Sequence, residues 1–156
     1  MRISTEAPSG RKGEHIMGLF GPSGGTGGNY SNPGPTVPAI AYIVVYAGEY
    51  VNAIELHDPG DLNTQVYGNT GTGQVAARID FQPNETLIGI QGRCGEFVDS
   101  IRFYTSARII PEPPLPAFGG SGGGQAYQYM LDRGGSIAGF FGNTGDWINS
   151  IGVFTL

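Results

Sequence analysis

Three short segments of the chain place an acidic residue, an aromatic residue and an Asp or Asn at fixed spacing after a glycine. They are Gly48-Glu49-Tyr50-Val51-Asn52, Gly95-Glu96-Phe97-Val98-Asp99 and Gly145-Asp146-Trp147-Ile148-Asn149. A tight turn of this kind can point consecutive backbone N–H groups at one spot, and a carboxylate beside them is a strong hydrogen-bond acceptor. Such a combination favours hydrogen bonding to a neutral ligand that carries several hydroxyl groups.

A second motif repeats with the same period. An aromatic residue followed by a glycine-rich loop occurs as Phe20-Gly21-Pro22-Ser23-Gly24-Gly25, Tyr67-Gly68-Asn69-Thr70-Gly71-Thr72 and Phe118-Gly119-Gly120-Ser121-Gly122-Gly123. The leading glycines of the turns are 47 and 50 residues apart, and the aromatic residues of the loops are 47 and 51 residues apart. Two different motifs that share one period predict a threefold internal repeat.

Short strands must position these turns and loops. Apolar runs of strand length, rich in β-branched and aromatic residues, occur at Ile16 to Phe20, Ala39 to Tyr46, Val51 to Leu56, Val75 to Phe81, Thr86 to Ile90, Val98 to Tyr104, Ser136 to Phe141 and Ile148 to Phe154. No stretch keeps a helical apolar period without a glycine or proline, so helix is expected to be scarce. Proline-rich segments at 32–38 and 110–116 are predicted to be loops between repeats.

Each repeat is therefore expected to supply four strands, one on each side of its loop and one on each side of its turn. The predicted fold class is all-β, with three four-stranded antiparallel sheets around a pseudo-threefold axis, forming a three-sided prism. Each sheet then buries its inner face against the other two. The isoleucines that follow the turns are predicted to lie in the shared core, at Ile54, Ile101 and Ile151.

Composition and charge narrow the classes of protein. The chain has 156 residues, 39% of them apolar, which suits one domain; residues 14–156 are assigned to it, and residues 1–13 are expected to form a flexible arm. The chain has a net charge of −5 and no basic stripe that could bind nucleic acid, and its negative charge opposes binding to an anionic membrane. No apolar run is long enough for membrane insertion. No secretory signal is visible, so a cytoplasmic or non-classically exported protein is expected.

The chain resembles the jacalin-related lectins. The segment from Phe140 to Ile151 is similar to that family's sugar-binding segment, whose pattern is Gly-x-x-x-Asp, and the loop at 118–123 resembles its glycine-rich loop. The resemblance covers residues 15–156 and implies the β-prism I fold. It also implies a lectin rather than an enzyme, for mannose- or glucose-containing glycans, with no cofactor. The unbroken chain from Gly21 to Gly28 favours these sugars over galactose, because galactose-specific relatives have a cleaved loop there.

The resemblance also implies three binding sites, each formed by one turn and one glycine loop of the same sheet. In the family, the Asp accepts hydrogen bonds from O4 and O6 of the sugar, the turn N–H groups donate to O5 and O6, and a loop N–H donates to O3. The residues carried over are Gly95, Glu96, Phe97 and Asp99 with Gly119, Gly120, Gly122 and Gly123; Gly145, Asp146, Trp147 and Asn149 with Gly24 and Gly25; and Gly48, Glu49, Tyr50 and Asn52 with Gly71.

Differences between the copies rank the three sites. The Asp99 site is expected to be the best, because it keeps the carboxylate. The Asn149 site ranks second, since an amide is a neutral acceptor and also brings donors. The Asn52 site is expected to be degenerate, because Thr72 can crowd the sugar or be incompatible with the loop backbone. The turn aromatics have two interpretations, stacking on the sugar or packing over the sheet edge.

Other functions have little support in the sequence. Cys94 is predicted to be a buried, unreactive thiol, and neither His15 nor His57 has neighbours at metal-ligand spacing, so no metal site is expected. Two alternatives remain beside a lectin: a β-prism module that has lost sugar binding and recognises protein, and a targeting domain for an enzyme on a separate chain. A homodimer is plausible, because several weak sites gain avidity when they engage one glycan.

Overall fold

Thirteen strands and one short 3₁₀ turn make up the computed structural model, which describes residues 18–32, 37–132 and 134–156. The expected arm at residues 1–13 lies outside these ranges. The 3₁₀ turn is Pro59–Asp61, and no helix in the described part of the chain is long and apolar enough to cross a membrane. The strands are β1 Gly18–Gly24, β2 Asn29–Ser31, β3 Tyr42–Ala47, β4 Val51–His57, β5 Thr64–Gly68, β6 Val75–Asp80, β7 Leu87–Cys94, β8 Ser100–Thr105, β9 Ile109–Ile110, β10 Phe118–Gly119, β11 Gln125–Met130, β12 Ile137–Thr144 and β13 Ser150–Thr155.

The strands form three antiparallel sheets. The first has the order β1-β13-β12-β2 and joins the two ends of the described chain, while the second has the order β10-β8-β7-β11 and the third β5-β4-β3-β6. The short strand β9 pairs with β8 at the margin of the second sheet. Three sheets of four strands and the scarcity of helix agree with the prediction.

One core lies between the sheets. Ile54, Ile101 and Ile151 are fully buried, as predicted, and the largest fully buried side chains include Tyr67 and Phe140. The Tyr67 hydroxyl donates to the Ser150 carbonyl over 2.6 Å, which joins the third sheet to the first. A buried tyrosine needs such a partner for its hydroxyl, so this contact fixes how the two sheets meet.

The three glycine-acid-aromatic turns meet on the pseudo-threefold axis. Val51, Val98 and Ile148 each follow a turn aromatic, and their backbones form a closed triangle: the Val51 N–H donates to Val98, that of Val98 to Ile148, and that of Ile148 to Val51, over 2.8–3.0 Å. All three side chains are fully buried. Because one N–H and one C=O from each repeat close this ring, the three turns are held at the same end of the prism.

Candidate functional site

Each turn is closed by the same hydrogen bond. The glycine N–H donates to the carbonyl of the aromatic residue two positions later, over 2.9 Å in all three copies. In the turn that begins at Gly95, the N–H groups of Glu96 and Phe97 have no acceptor among the described residues. The turn therefore presents two adjacent donors that a ligand can use.

A glycine-rich loop lies beside each turn, in the pairs expected from the sequence. The Gly120 N–H donates to the backbone carbonyl of Asp99 over 2.9 Å, and the Gly25 N–H donates to that of Asn149 over 2.8 Å. The corresponding bond of the third pair runs from Asn69 to Asn52 over 3.0 Å. The structure thus brings together the turn and loop residues of all three predicted sites.

The register of the first loop differs from the one that the aromatic spacing predicted. Gly24 pairs with Ser150 in the same way that Gly119 pairs with Ser100. The residue before Gly24 is Ser23, so Ser23 occupies the position that Phe118 has before Gly119. The aromatic spacing assigns that position to Phe20. An irregularity in β1 between Phe20 and Ser23 causes this shift of three residues. The loop facing Asn149 consequently runs over residues 24–28 instead of 21–25.

The Asp99 site has a carboxylate whose one hydrogen bond among the described residues comes from the backbone of Asp99 itself. Asp99 is 7% exposed, and among the described residues no other residue donates a hydrogen bond to its carboxylate. Glycines cover it closely, because a Cβ added at Gly123 would lie 2.8 Å from Oδ1 and one added at Gly122 would lie 3.0 Å from Oδ2. A side chain at either position would crowd the carboxylate, so the glycines keep it accessible to a small ligand.

Burial raises the pKa of the Asp99 carboxyl above its ordinary value of 3.8; the positive charge of Arg93 offsets part of the rise, and the negative charge of Glu49 adds to it. In its ionised form the carboxylate can accept hydrogen bonds from two hydroxyl groups, and bonds to an ionised acceptor are stronger than neutral ones.

The Asn149 site has an amide in the same position. Its Oδ1 is buried and has no hydrogen-bond partner among the described residues. A Cβ added at Gly28, where φ is +71°, would lie 2.7 Å from this oxygen. The Asn143 amide holds the loop by donating to the Thr26 carbonyl over 3.1 Å. This site has the glycines of the Asp99 site against its amide but lacks the charge.

The Asn52 site uses its polar groups internally. The Asn52 amide donates to the Thr72 hydroxyl and to the Asp146 carbonyl, over 3.3 Å in each case, and the Thr72 hydroxyl donates to the same carbonyl over 2.5 Å. In the observed register Thr72 corresponds to Gly28 and Gly123, which have positive φ, whereas Thr72 does not. The threonine thus changes the loop path and fills the position that a ligand would need.

A turn of the neighbouring sheet completes each site, which the sequence spacing did not indicate. A Cβ at Gly120 would overlap the Glu49 carbonyl, and one at Gly25 would overlap the Glu96 carbonyl. The Asp146 carbonyl reaches Asn52 and Thr72 in the same way. Each turn therefore belongs to two sites, and the requirement for glycine at these loop positions comes partly from the neighbouring sheet.

The aromatic rings of the turns pack against one another on the axis. The centroids of Tyr50 and Phe97 are 4.9 Å apart, as are those of Phe97 and Trp147, and those of Tyr50 and Trp147 are 5.3 Å apart. All three rings are half-buried. The rings thus pack against one another rather than over the sheet edge, because the backbone triangle brings the three together, and stacking on a sugar stays a prediction. What these residues offer to a ligand is chiefly their backbone N–H groups.

The remaining candidate groups lie away from these sites. Cys94 is fully buried, and burial raises the pKa of its thiol. His57 stacks on Tyr42 with ring centroids 4.2 Å apart, and its two nitrogens face Glu55 and Asp61. In the described part of the chain, no group of three or more His, Cys, Asp or Glu side chains is arranged to hold a metal ion.

Comparison with known proteins gives consistent results. A family model described as the Jacalin-like lectin domain matches residues 20–154. Horcolin from barley, Hordeum vulgare, is 32% identical over 139 residues, which cover 86% of this chain and 94% of Horcolin. A mannose/glucose-specific lectin from Parkia platycephala is 26% identical over 152 residues, which cover 94% of this chain and 33% of that protein. The solved structure of Malaysian banana lectin has a TM-score of 0.73 and 28% identity, with 88% of this chain and 96% of that chain covered.

Proposed function

We propose that this chain, which belongs to the jacalin-like lectin family, binds mannose- or glucose-type glycans at one end of its prism without catalysing a reaction on them. The expected β-prism is confirmed by the three antiparallel sheets and by the likeness to banana lectin. The Parkia lectin is mannose/glucose-specific by name, which supports these sugars for this chain.

The observation that carries the proposal is the unpaired carboxylate of Asp99. Because no other described residue donates to this carboxylate, it keeps acceptor capacity that the hydroxyl groups of a ligand can use. The free N–H groups of Glu96 and Phe97 provide donors for the ring and hydroxyl oxygens of the same ligand. A hexose offers vicinal hydroxyls that act both as donors and as acceptors, and it therefore matches this set.

The arrangement around the axis supports multivalent binding. The three turns share the backbone triangle and the aromatic cluster, and each site borrows a carbonyl from the neighbouring turn. The Asp99 and Asn149 sites therefore open at the same end of the prism. A branched glycan that engages both gains effective concentration for its second contact. The homodimer expected from the sequence stays a prediction, which the molar mass from sedimentation equilibrium checks.

A glycan array with free-sugar competition tests the proposal. We expect binding to mannose-terminated glycans that free mannose inhibits and free galactose does not. A protein-interaction module that has lost sugar binding would remain silent on every glycan. That result would contradict the proposed function, whereas inhibition by glucose as well as mannose would agree with it.

We predict that sugar affinity falls on acidification. The pKa of Asp99 lies above 3.8, so the carboxylate takes up a proton as the pH decreases toward that range and one acceptor becomes a donor. Affinity for methyl α-mannoside should decrease as the solution is acidified, and the decrease should begin at a higher pH than it would for a carboxyl with the ordinary pKa. Titration calorimetry of the wild type and of Asp99→Asn across this range measures the effect. The variant should show a flat profile, and a parallel decline in both proteins would contradict the assignment.

A further inference from the structure

We propose that a groove beside the Asp99 site binds an anionic group, a carboxylate or a sulfate ester, on the saccharide unit next to the one held by Asp99. This inference rests on the proposed function, because it extends a glycan from the same site. The groove lies on the outer face of the second sheet and has a volume of about 510 Å³. It includes Gly119 and Gly120, the start of the loop that faces Asp99, so the two sites are continuous.

Two arginines line this groove without a carboxylate partner. Of the four arginines in the described residues, Arg78 pairs with Asp80 over 3.0 Å and Arg108 pairs with Glu85 over 2.8 Å. Arg93 and Arg102 form no ion pair with any described residue, and both line the same groove. A groove lined by two arginines without an ion pair carries positive charge, although the chain has a net charge of −5. Their position favours an anionic ligand over a structural role in an ion pair.

Each of these arginines makes one anchoring contact and keeps other donors free. The Arg93 Nε donates to the Gly123 carbonyl over 2.7 Å, and the Arg102 Nη1 donates to the Pro111 carbonyl over 2.5 Å. A guanidinium has five N–H donors. The anchors therefore fix the direction of both side chains while most of their donors stay available to a ligand in the groove.

The rest of the lining suits the same ligand. Gln91, Ser100 and Ser121 contribute polar groups, and no Asp or Glu belongs to the described residues that line the groove. Gln91 lies directly opposite Arg102 in the pairing of β7 with β8. A carboxylate or a sulfate can accept two parallel hydrogen bonds from a guanidinium, a geometry that a neutral sugar cannot match. An acidic sugar linked to mannose or glucose is therefore the chemical class that fits.

The test compares neutral and acidic disaccharides on one variant and one matched control. The probes are glucosyl-mannose, glucuronosyl-mannose and glucosyl-mannose carrying a sulfate ester, measured by titration calorimetry with methyl α-mannoside as the reference. The variant is Arg102→Gln, because the hydrogen bond that Arg102 forms among the described residues goes to the Pro111 carbonyl and not to the turn or loop around Asp99. The control is Arg78→Gln, which removes the same charge from the outer face of another sheet.

We expect the wild type to bind at least one acidic probe about ten-fold more tightly than glucosyl-mannose. The preference should fall to about two-fold in Arg102→Gln and stay near ten-fold in Arg78→Gln, and it should weaken as salt is raised. A preference for the glucuronosyl probe alone identifies a carboxylate, and one for the sulfated probe alone identifies a sulfate ester. Methyl α-mannoside affinity close to that of the wild type shows that the variant is folded.

Equal binding of neutral and acidic probes by the wild type would overturn the inference, as would equal loss of preference in both arginine variants. In those cases the neutral probes still bind, so the proposed lectin function stands. If no probe binds, including methyl α-mannoside, the proposed function itself has failed. The two failures are therefore distinguishable in one set of titrations.

Discussion

Replacing Asp99 by Asn is expected to reduce the affinity for methyl α-mannoside by about 10- to 100-fold, because a hydrogen bond to a charged group contributes about 1.5–3 kcal/mol. The substitution changes few atoms and keeps the size of a side chain that is 7% exposed. It removes the charge and gives the site an amide, as in the Asn149 site. Titration calorimetry with the monovalent sugar measures the loss without a contribution from avidity.

Two further variants make this result specific. Glu96→Gln removes a negative charge from the same turn. The Glu96 side chain is exposed, and the group that it offers to the sugar is its backbone N–H. The affinity of this variant for methyl α-mannoside should therefore stay within about two-fold of the wild type. Asn149→Ala should cause a smaller loss than Asp99→Asn. If Asp99→Asn leaves the affinity unchanged while Asn149→Ala abolishes binding, the ranking of the sites is wrong.

Replacing Glu85 by Gln is expected to lower the free energy of unfolding by about 2–3 kcal/mol at neutral pH. The Glu85 side chain is 1% exposed and forms a salt bridge with Arg108 over 2.8 Å. It also accepts hydrogen bonds from the Thr105 hydroxyl over 2.6 Å and from the Gln82 N–H over 2.8 Å. These contacts join the turn after β6 to the β8–β9 hairpin, so an amide in this position would leave buried donors without a suitable acceptor.

The pH dependence of this effect has a definite sign. Burial alone would raise the pKa of Glu85, but the hydrogen bonds from Arg108, Thr105 and Gln82 outweigh it and lower the pKa from 4.5 to about 2. Because the folded pKa is below the ordinary value, the carboxylate stabilises the native state above about pH 4.5. That contribution is lost progressively as the pH falls toward 2.

Urea unfolding at several pH values measures both parts of this prediction. The free energy of unfolding of Glu85→Gln should be lower than that of the wild type at pH 7 and approach it near pH 2. Glu112→Gln removes an exposed acid, and its free energy of unfolding should stay within about 0.5 kcal/mol of the wild type at every pH. A Glu85→Gln protein as stable as the wild type at pH 7 would contradict this account.

The fold could be predicted from the sequence because its evidence is repeated and local. The in-phase turns and loops define where each hairpin reverses, and the isoleucines after the turns mark the inner faces. The strand bounds were less accurate. The apolar run at Thr86 to Ile90 ends before β7 does, since the strand continues through Gly92 and Arg93 to Cys94. The polar side chains of β11 hide that strand from an apolar pattern.

Contacts between repeats could not be predicted, because they depend on how the sheets meet. Sequence spacing places Asp99 near Gly119 to Gly123 within one sheet, but it does not show that the Glu49 carbonyl from another sheet abuts Gly120. The aromatic cluster on the axis has the same origin. The groove lined by Arg93 and Arg102 depends instead on the pairing of β7 with β8 within one sheet. The three-residue shift at Ser23 follows from a strand irregularity that glycine spacing alone does not reveal.

Amide chemical shifts during titration with methyl α-mannoside test the central claim most directly. The backbone N–H groups that the Asp99 site offers are those of Glu96, Phe97, Gly122 and Gly123, none of which has an acceptor among the described residues. In ¹H–¹⁵N spectra these amides should show the largest changes and saturate together, with smaller changes around Asn149 at higher sugar concentration. The account is contradicted if these four amides stay unperturbed while the sugar binds elsewhere, or if the residues around Asn52 respond first.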